Sequence, residues 1–302
     1  METNISFKSG YASIIGAPNV GKSTLLNAII GEKISITSPK PQTTRNRIAG
    51  IYNDEHCQII FVDTPGIHES KDLFNEILVS TALAATNDVD VLCFMVEPVN
   101  PPGKLDQYIL EKVIRRTTTP VILVINKIDT VPNKNVLLPI IDFYRNQHNF
   151  HAIIPVSALL GDGVRELVDA IVEILPEGPR YFPEDHITDL SERFIVAELI
   201  REQIFHLTHD EVPYSVHVSI ERFKDDPEKN MTIIDATIHV EKDSQKGIII
   251  GKGGRMLKEI GRLSRMSIEK FLGRKVYLQL YVRVQEKWRR NRRVLAEWGF
   301  RL

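Results

Sequence analysis

Gly16-Ala-Pro-Asn-Val-Gly21-Lys22-Ser23 follows an apolar run and opens a helical pattern. In that setting a glycine-rich loop turns its backbone N–H groups inward around phosphates. Lys22 then brings a point charge to the β- and γ-phosphates, and the Ser23 hydroxyl ligates Mg2+. The positive end of the helix dipole adds to both. The candidate nucleotide contacts are therefore Gly16, Ala17, Pro18, Asn19, Val20, Gly21, Lys22 and Ser23, with Thr24 behind them. Alone, this loop supports binding of some nucleoside triphosphate and nothing narrower.

Three further clusters narrow it. Asp63-Thr64-Pro65-Gly66 ends an apolar run, so that Asp63 can hold Mg2+ and the Gly66 N–H can meet the γ-phosphate. Asn126-Lys127-Ile128-Asp129 ends another, and it selects the base. The Asp129 carboxylate can accept both N1–H and the N2 amine of guanine, a donor pair adenine lacks. A site built around such a bond rejects the wrong base by roughly 10⁴-fold. Asn126 braces the loop and the Lys127 stem covers the base. Ser157-Ala158 completes the set, with a backbone N–H near Ala158 for guanine O6. The four clusters in this order predict a GTPase.

The polar stretch 34–47 lies where a switch loop would close over γ-phosphate and metal. Either Thr43 or Thr44 should be the metal ligand there, beside Ser23 and Asp63. Arg45 and Arg47 read as solvated loop charges with no catalytic part. After Gly66 stands Ile67, where many GTPases carry a water-orienting glutamine. An isoleucine cannot bind water, so hydrolysis should be slow.

These residues need a scaffold that brings loop ends together. From Tyr11 to about Leu175, apolar runs at Tyr11–Ile15, Ile48–Tyr52, Gln58–Val62, Val89–Val96, Val121–Ile125 and Ala152–Val156 alternate with amphipathic stretches. Alternation of this kind predicts an α/β doubly wound, largely parallel sheet, with ligands at the carboxyl ends of its strands. Every cluster above falls at such an end. Pro176-Glu-Gly-Pro-Arg-Tyr-Phe-Pro183 then breaks the pattern and reads as a linker. Beyond it the order becomes helix–strand–strand–helix–helix–strand, followed by a basic final helix. The expected organisation is a GTPase domain over 8–176, a linker over 177–187, an α+β domain over 188–285 and a basic tail over 286–302.

Net charge is −1, but residues 241–302 hold 17 Lys and Arg against 6 Asp and Glu, a local +11. Polarisation of this kind points to a polyanionic partner at one end. Within it, Ile249 and Ile250 precede Gly251-Lys252-Gly253-Gly254-Arg255 between two helical patterns. A Gly-x-x-Gly turn lets a phosphodiester strand approach the backbone, over an aliphatic floor for unstacked bases, as in a KH domain. The element order is that of the type 2 arrangement. Lys258 and the run Arg289, Arg290, Arg292 and Arg293 on the final helix are expected as further phosphate contacts. No run of about 18 apolar residues suggests a membrane span, and the polar start lacks a signal-peptide pattern, so a cytoplasmic location is expected. Cys57 and Cys93 sit in apolar strands and read as reduced core residues.

The chain resembles the Era family of bacterial GTPases over nearly its whole length. Beyond the shared nucleotide motifs, the resemblance rests on Pro41-Gln-Thr-Thr-Arg45, Val62-Asp-Thr-Pro-Gly-Ile-His68, Glu211-Val-Pro-Tyr214 and Gly247-Ile-Ile-Ile-Gly-Lys-Gly-Gly254. It implies a monomeric switch protein that binds GTP and GDP, contacts the 3′ end of 16S rRNA and assists assembly of the 30S subunit, with a peripheral attachment to the inner membrane. It favours Thr44 over Thr43 as metal ligand, and it implies Lys22, Thr44, Gly66 and Asn19 as the catalytic set. In related GTPases an asparagine at the Asn19 position binds K+ against the phosphates; the alternative is an asparagine that only stabilises the loop. Two other classes fit the residues less well. One is a signalling GTPase whose basic end docks protein or anionic lipid; the other is a GTP-dependent phosphotransferase.

Overall fold

The computed structural model describes residues 6–67 and 73–300. His68, which closes one family motif, and Arg301 and Leu302 in the expected tail lie outside them. The chain divides into two compact units. Met1–Ser35, Thr44–Ser70 and Leu78–Asp189 form the first, and Ile36–Thr43, Lys71–Ile77 and Leu190–Leu302 the second. Two short segments from the amino-terminal half thus belong with the carboxyl-terminal unit.

The first unit runs β1 (Lys8–Gly16), α1 (Lys22–Ile30), β2 (Ile48–Asn53), β3 (Cys57–Asp63), α2 (Leu73–Ala84), β4 (Val91–Val96), α3 (Lys104–Lys112), β5 (Val121–Ile125), α4 (Leu137–Arg145), β6 (Ala152–Pro155) and α5 (Val164–Ile174). The first turn of α2 is counted with the second unit. The sheet order is β2-β3-β1-β4-β5-β6. β2 pairs antiparallel with β3, and the other neighbours are parallel. Every residue of β3, β4 and β5 is buried, which is why β4 and β5 read as unbroken apolar runs rather than alternating ones, while β3 is apolar between Gln58 and Asp63. Cys57 and Cys93 lie in this core as free thiols, and burial pushes them up to about 11 and about 12. β1 has β3 on one side and β4 on the other. The loop after it therefore sits at the point where strand order reverses, the ligand position of open α/β sheets.

The proline-rich stretch is not a loose tether. Gln58, fully buried, accepts from the backbone N–H groups of Tyr181 and Phe182 through Oε1 and donates to the Phe182 carbonyl through Nε2. Ile51 N–H donates to the Ile187 carbonyl and the Thr188 hydroxyl to the Ala49 carbonyl. Prolines forbid a ladder here, so one buried amide and a few isolated bonds hold the segment on β2 and β3.

The second unit contains α6 (Glu192–Leu207), β7 (His217–Asp226), β8 (Met231–Val240), α7 (Asp243–Ile250), α8 (Arg255–Leu272), β9 (Lys275–Val284) and α9 (Arg292–Glu297). β8 lies between β7 and β9, antiparallel to the first and parallel to the second. Thr232, Ile234, Ala236 and Ile238 alternate inward along β8. Ile234, Ala236 and Ile238 meet Ile195 and Leu199 of α6, Ile249 of α7 and Ile260 and Ile268 of α8 in one apolar cluster.

The expected continuous basic helix at the end does not form. Trp288–Arg290 makes a single 3-10 turn, and α9 starts afresh after Asn291. The Asn291 side chain accepts from the N–H groups of Arg293 and Val294, and a cap of this kind starts a helix rather than continuing one. Trp288 is fully buried, its Nε1 donating to the Ser215 carbonyl at 2.9 Å. Burying that large ring outweighs helical continuity.

Candidate nucleotide and nucleic-acid sites

The turn from β1 into α1 is fixed by sterics. Gly21 has φ 107°, and a Cβ there would stand 2.2 Å from the Asn126 amide nitrogen. Gly66 approaches the loop so closely that its Cβ would lie 2.8 Å from Cα of Pro18. Gly21 therefore requires glycine for contact and for conformation, and Gly66 for contact alone. Lys22 is buried and folds back to donate to the carbonyls of Gly16 at 3.1 Å and Ala17 at 2.9 Å. Burial lowers its ammonium to about 8, against the opposing pull of Asp63 and Asp106. Burial likewise raises Asp106 to about 6. A desolvated cation at a helix N-terminus is an unscreened partner for phosphate.

Beside it Ser23, Asp63 and Thr44 converge. The Ser23 hydroxyl donates to Asp63 Oδ2 at 2.6 Å and lies 2.8 Å from the Thr44 hydroxyl. Ser35, which the sequence did not single out, donates to the same carboxylate oxygen at 3.1 Å. Asn27 on α1 holds Ser35 in place, accepting from its N–H at 3.0 Å and donating to its carbonyl at 2.7 Å. Burial drives the Asp63 carboxyl upward, while Lys22, Ser23 and Ser35 pull it down. Its second oxygen, Oδ1, is buried with no hydrogen-bond partner. Two hydroxyls and an orphaned carboxylate oxygen are hard oxygen donors that suit Mg2+, which keeps waters and substrate oxygens for its other positions. Thr43 points elsewhere, its hydroxyl donating to the Lys40 carbonyl at 2.7 Å. Arg45, expected in solvent, is 2% exposed.

Asn126 ties three loops together. Its amide donates to the Val20 carbonyl at 2.8 Å and its oxygen accepts from Ala158 N–H at 2.9 Å. Lys127 takes the left-handed conformation and pairs with Glu97, a partner that sequence reasoning missed. Asp129 accepts from the Ser157 hydroxyl at 2.5 Å. One oxygen of the carboxylate expected to read the base is thereby oriented by the loop expected to complete the pocket. Thr64, behind Asp63, donates to the Ile14 carbonyl at 3.0 Å. Ile67 is buried within the apolar cluster of β4 and β5. Its side chain is core, and its N–H, 3.4 Å from the Gly16 carbonyl, is the group it turns toward the loop. Asn19 sits exposed on the loop rim at φ 64°.

In the second unit Gly251, Gly253 and Gly254 all have positive φ, and a Cβ on either of the last two would meet nothing within 4 Å. The turn is open to an approaching strand. Lys252, Arg255 and Lys258 are exposed around it. A groove of about 760 Å3 continues from Gly254 between α8 and β9. Arg262, Arg265 and Tyr277 line it together with Leu257, Leu278 and Leu280. The last six escaped the sequence reading, because only the fold brings β9 beside α8. Two expectations are corrected. Ile249 is fully buried in the core, since it faces inward on α7, and the aliphatic surface in the groove comes from the leucines. Arg289 places its guanidinium 5.7 Å from the centroid of the Phe74 ring, whereas Arg290, Arg292 and Arg293 are exposed.

A loop that cradles phosphates, with hydroxyls and a carboxylate for Mg2+ and a carboxylate for guanine, defines a P-loop GTPase; the Gly-x-x-Gly unit that follows is a type 2 KH domain. The comparisons agree. A family model described as 50S ribosome-binding GTPase matches residues 11–127, and one described as KH domain matches residues 211–289. GTPase Era of Geotalea uraniireducens is 54% identical over 298 residues, covering 99% of each chain. GTPase Era of Caldanaerobacter subterraneus is 48% identical over 296 residues, covering 98% of this chain and 99% of its own. Among solved structures, an Aquifex aeolicus Era variant bound to GDP and AlF4− superposes with TM-score 0.95 at 44% identity, over 98% of this chain and 100% of its own. A structure of Era with MgGDPNP and nucleotides 1506–1542 of 16S ribosomal RNA superposes with TM-score 0.94, at the same identity and coverage. The chain belongs to the Era family of GTPases, and its reaction is hydrolysis of GTP to GDP and phosphate. Among the described residues no helix is long and apolar enough to cross a membrane.

Proposed function

We propose that this GTPase binds the 3′ end of 16S rRNA through its KH unit and assists 30S subunit assembly, its nucleotide state setting its grip on RNA. The open Gly251–Gly254 turn with its basic, leucine-floored groove carries this reading, and the relative solved with nucleotides 1506–1542 supports the choice of RNA. At the other site Lys22 and the loop N–H groups hold the phosphates, Asp129 reads guanine, and Ser23, Thr44 and Asp63 hold Mg2+. When bound, the metal neutralises charge on the phosphate oxygens. Gly66 places its N–H at the γ-phosphate. Since Ile67 is core, the attacking water must be oriented by backbone or by groups outside this position.

The test measures affinity for an RNA of the 16S 3′ sequence with the protein loaded with GDPNP or with GDP. A ratio of about tenfold or more between states fits a coupling of ordinary size, and equal affinity refutes the switch. Competition by anionic vesicles at the same site would instead support peripheral membrane docking of the basic region. Thr44→Ala should slow turnover strongly while Thr43→Ala leaves it nearly intact; the reverse would reassign the ligand. A K+ ion held by Asn19 would make turnover faster in K+ than in Na+ buffer at matched ionic strength. Asn19→Ala should erase that difference.

A further inference from the structure

Residues 36–43 carry no regular secondary structure, and within their unit α6 holds them at four points. Thr37 N–H donates to Glu202 Oε1 at 3.0 Å, and His206 Nε2 lies 3.1 Å from the Thr37 carbonyl. The Lys40 ammonium caps the helix, donating to the carbonyls of Phe205 and Thr208. Arg201 is also buried, at 2% exposed. Its Nε and Nη2 form a two-point pair with Glu198, at 2.7 and 2.5 Å, and Nη2 also donates to the Thr43 carbonyl at 2.5 Å. A guanidinium locked by a carboxylate loses little freedom in gripping a carbonyl, which a lysine could not do in this planar, forked way.

Thr43 is the residue before Thr44, and the carbonyl that Arg201 grips belongs to the peptide bond joining them. Fixing that peptide plane limits where the Thr44 hydroxyl can stand. The opposite face of α6 is core: Ile195, Leu199 and Ile200 pack in the cluster that also holds Ile260 of α8, the helix bordering the RNA groove.

We propose that Arg201 is a positioning residue for GTP hydrolysis: by holding the Thr43 carbonyl it keeps Thr44 at the metal, and through α6 and α8 it makes that hold sensitive to RNA in the groove. The proposal rests on the reading of Thr44 as a metal ligand and of the groove as the RNA site. Since Thr44 serves the metal in the triphosphate state, loss of Arg201 should weaken binding of Mg·GDPNP and leave GDP alone.

Removing Arg201 by itself would leave Glu198 buried and unpaired, so the test uses the double variant Arg201→Met, Glu198→Met, and separately Lys40→Met. Full-length protein is titrated with GDP and with Mg·GDPNP, with and without the 16S 3′ RNA. The expected result is GDP affinity within about twofold of the parent, GDPNP affinity lower by about tenfold, and loss of the RNA effect on GDPNP binding. Lys40→Met should show the same pattern more weakly. Unchanged GDPNP affinity in both variants, or equal loss for GDP and GDPNP in both, overturns the proposal. Thr44→Ala separates the two levels. If it too leaves GDPNP affinity intact, the reading of the metal site is at fault. If it lowers GDPNP affinity while the Arg201 and Lys40 variants do not, only this proposal falls.

Discussion

The nucleotide site and the basic groove proposed for RNA use charge in opposite ways. Around Lys22, Asp63 and Asp106 the charges are few, buried and displaced from their usual ionisation. Around Gly251–Gly254 they are many, exposed and interchangeable: Lys252, Arg255 and Lys258 stand in solvent. Low dielectric makes each buried charge strong and costly to leave unpaired, whereas solvent makes each exposed charge weak and open to screening by salt. Single substitutions should therefore act in large steps at one end and small, roughly additive ones at the other.

The largest step should come from Asp129, a carboxylate exposed in this structure that only the base would cover. Replacing it with alanine removes the acceptor that guanine's donors need. The parent's preference for GTP over ATP should fall from roughly 10⁴-fold to within about tenfold, read by competition binding. A retained preference would mean that the Ser157–Ala158 loop, not the carboxylate, selects the base.

Next comes a residue of the RNA-binding unit that touches no RNA in this reading. Trp288→Ala empties a fully buried site and orphans the Ser215 carbonyl, so it should cost about 3–5 kcal/mol in denaturant unfolding. At temperatures where the variant remains folded, its salt dependence of RNA binding should match the parent's. A changed slope would break the division between what stabilises this unit and what it presents to RNA.

Lys252→Ala samples the open end. Its side chain is exposed beside Gly253, which has open space around it, so folding should be untouched. RNA affinity should drop about fivefold, with the salt slope reduced by about one. GTP affinity should not move.

The same contrast decided what could be read from the residues alone. Lys22, Asp63 and Asn126 were legible because buried chemistry demands particular groups at fixed loop positions, and Asp129, though exposed, because reading a base demands a carboxylate at a fixed place. Val121–Ile125 was legible because a strand buried on both faces has nothing but apolar side chains to show. Ser35 and Glu97 were not, since a serine on a loop and a glutamate after a strand have no pattern until Asn27 and Lys127 place them. Arg262, Arg265 and Tyr277 entered the groove only through the pairing of α8 with β9. The final helix was misread because seven residues rich in Arg and Lys look like one solvated surface. Trp288 and the Asn291 cap, two local features, break it.

That misreading supplies the smallest test. Arg289 and Arg293 are four residues apart in one basic run, yet the structure separates them. Arg293 is 89% exposed and pairs with Glu297 at 3.1 Å, while Arg289 lies over the Phe74 ring, with its Nε buried. Surface pairs of the first kind contribute about 0–1 kcal/mol, so Arg293→Ala should leave stability unchanged and lower RNA affinity by no more than about twofold, with a small decrease in salt slope. Arg289→Ala should do the reverse: a stability loss of about 1 kcal/mol from the lost ring contact and no change in slope. Equal effects of both arginines on the slope would return Arg289 to the RNA surface, and the basic run would again count as one continuous interface.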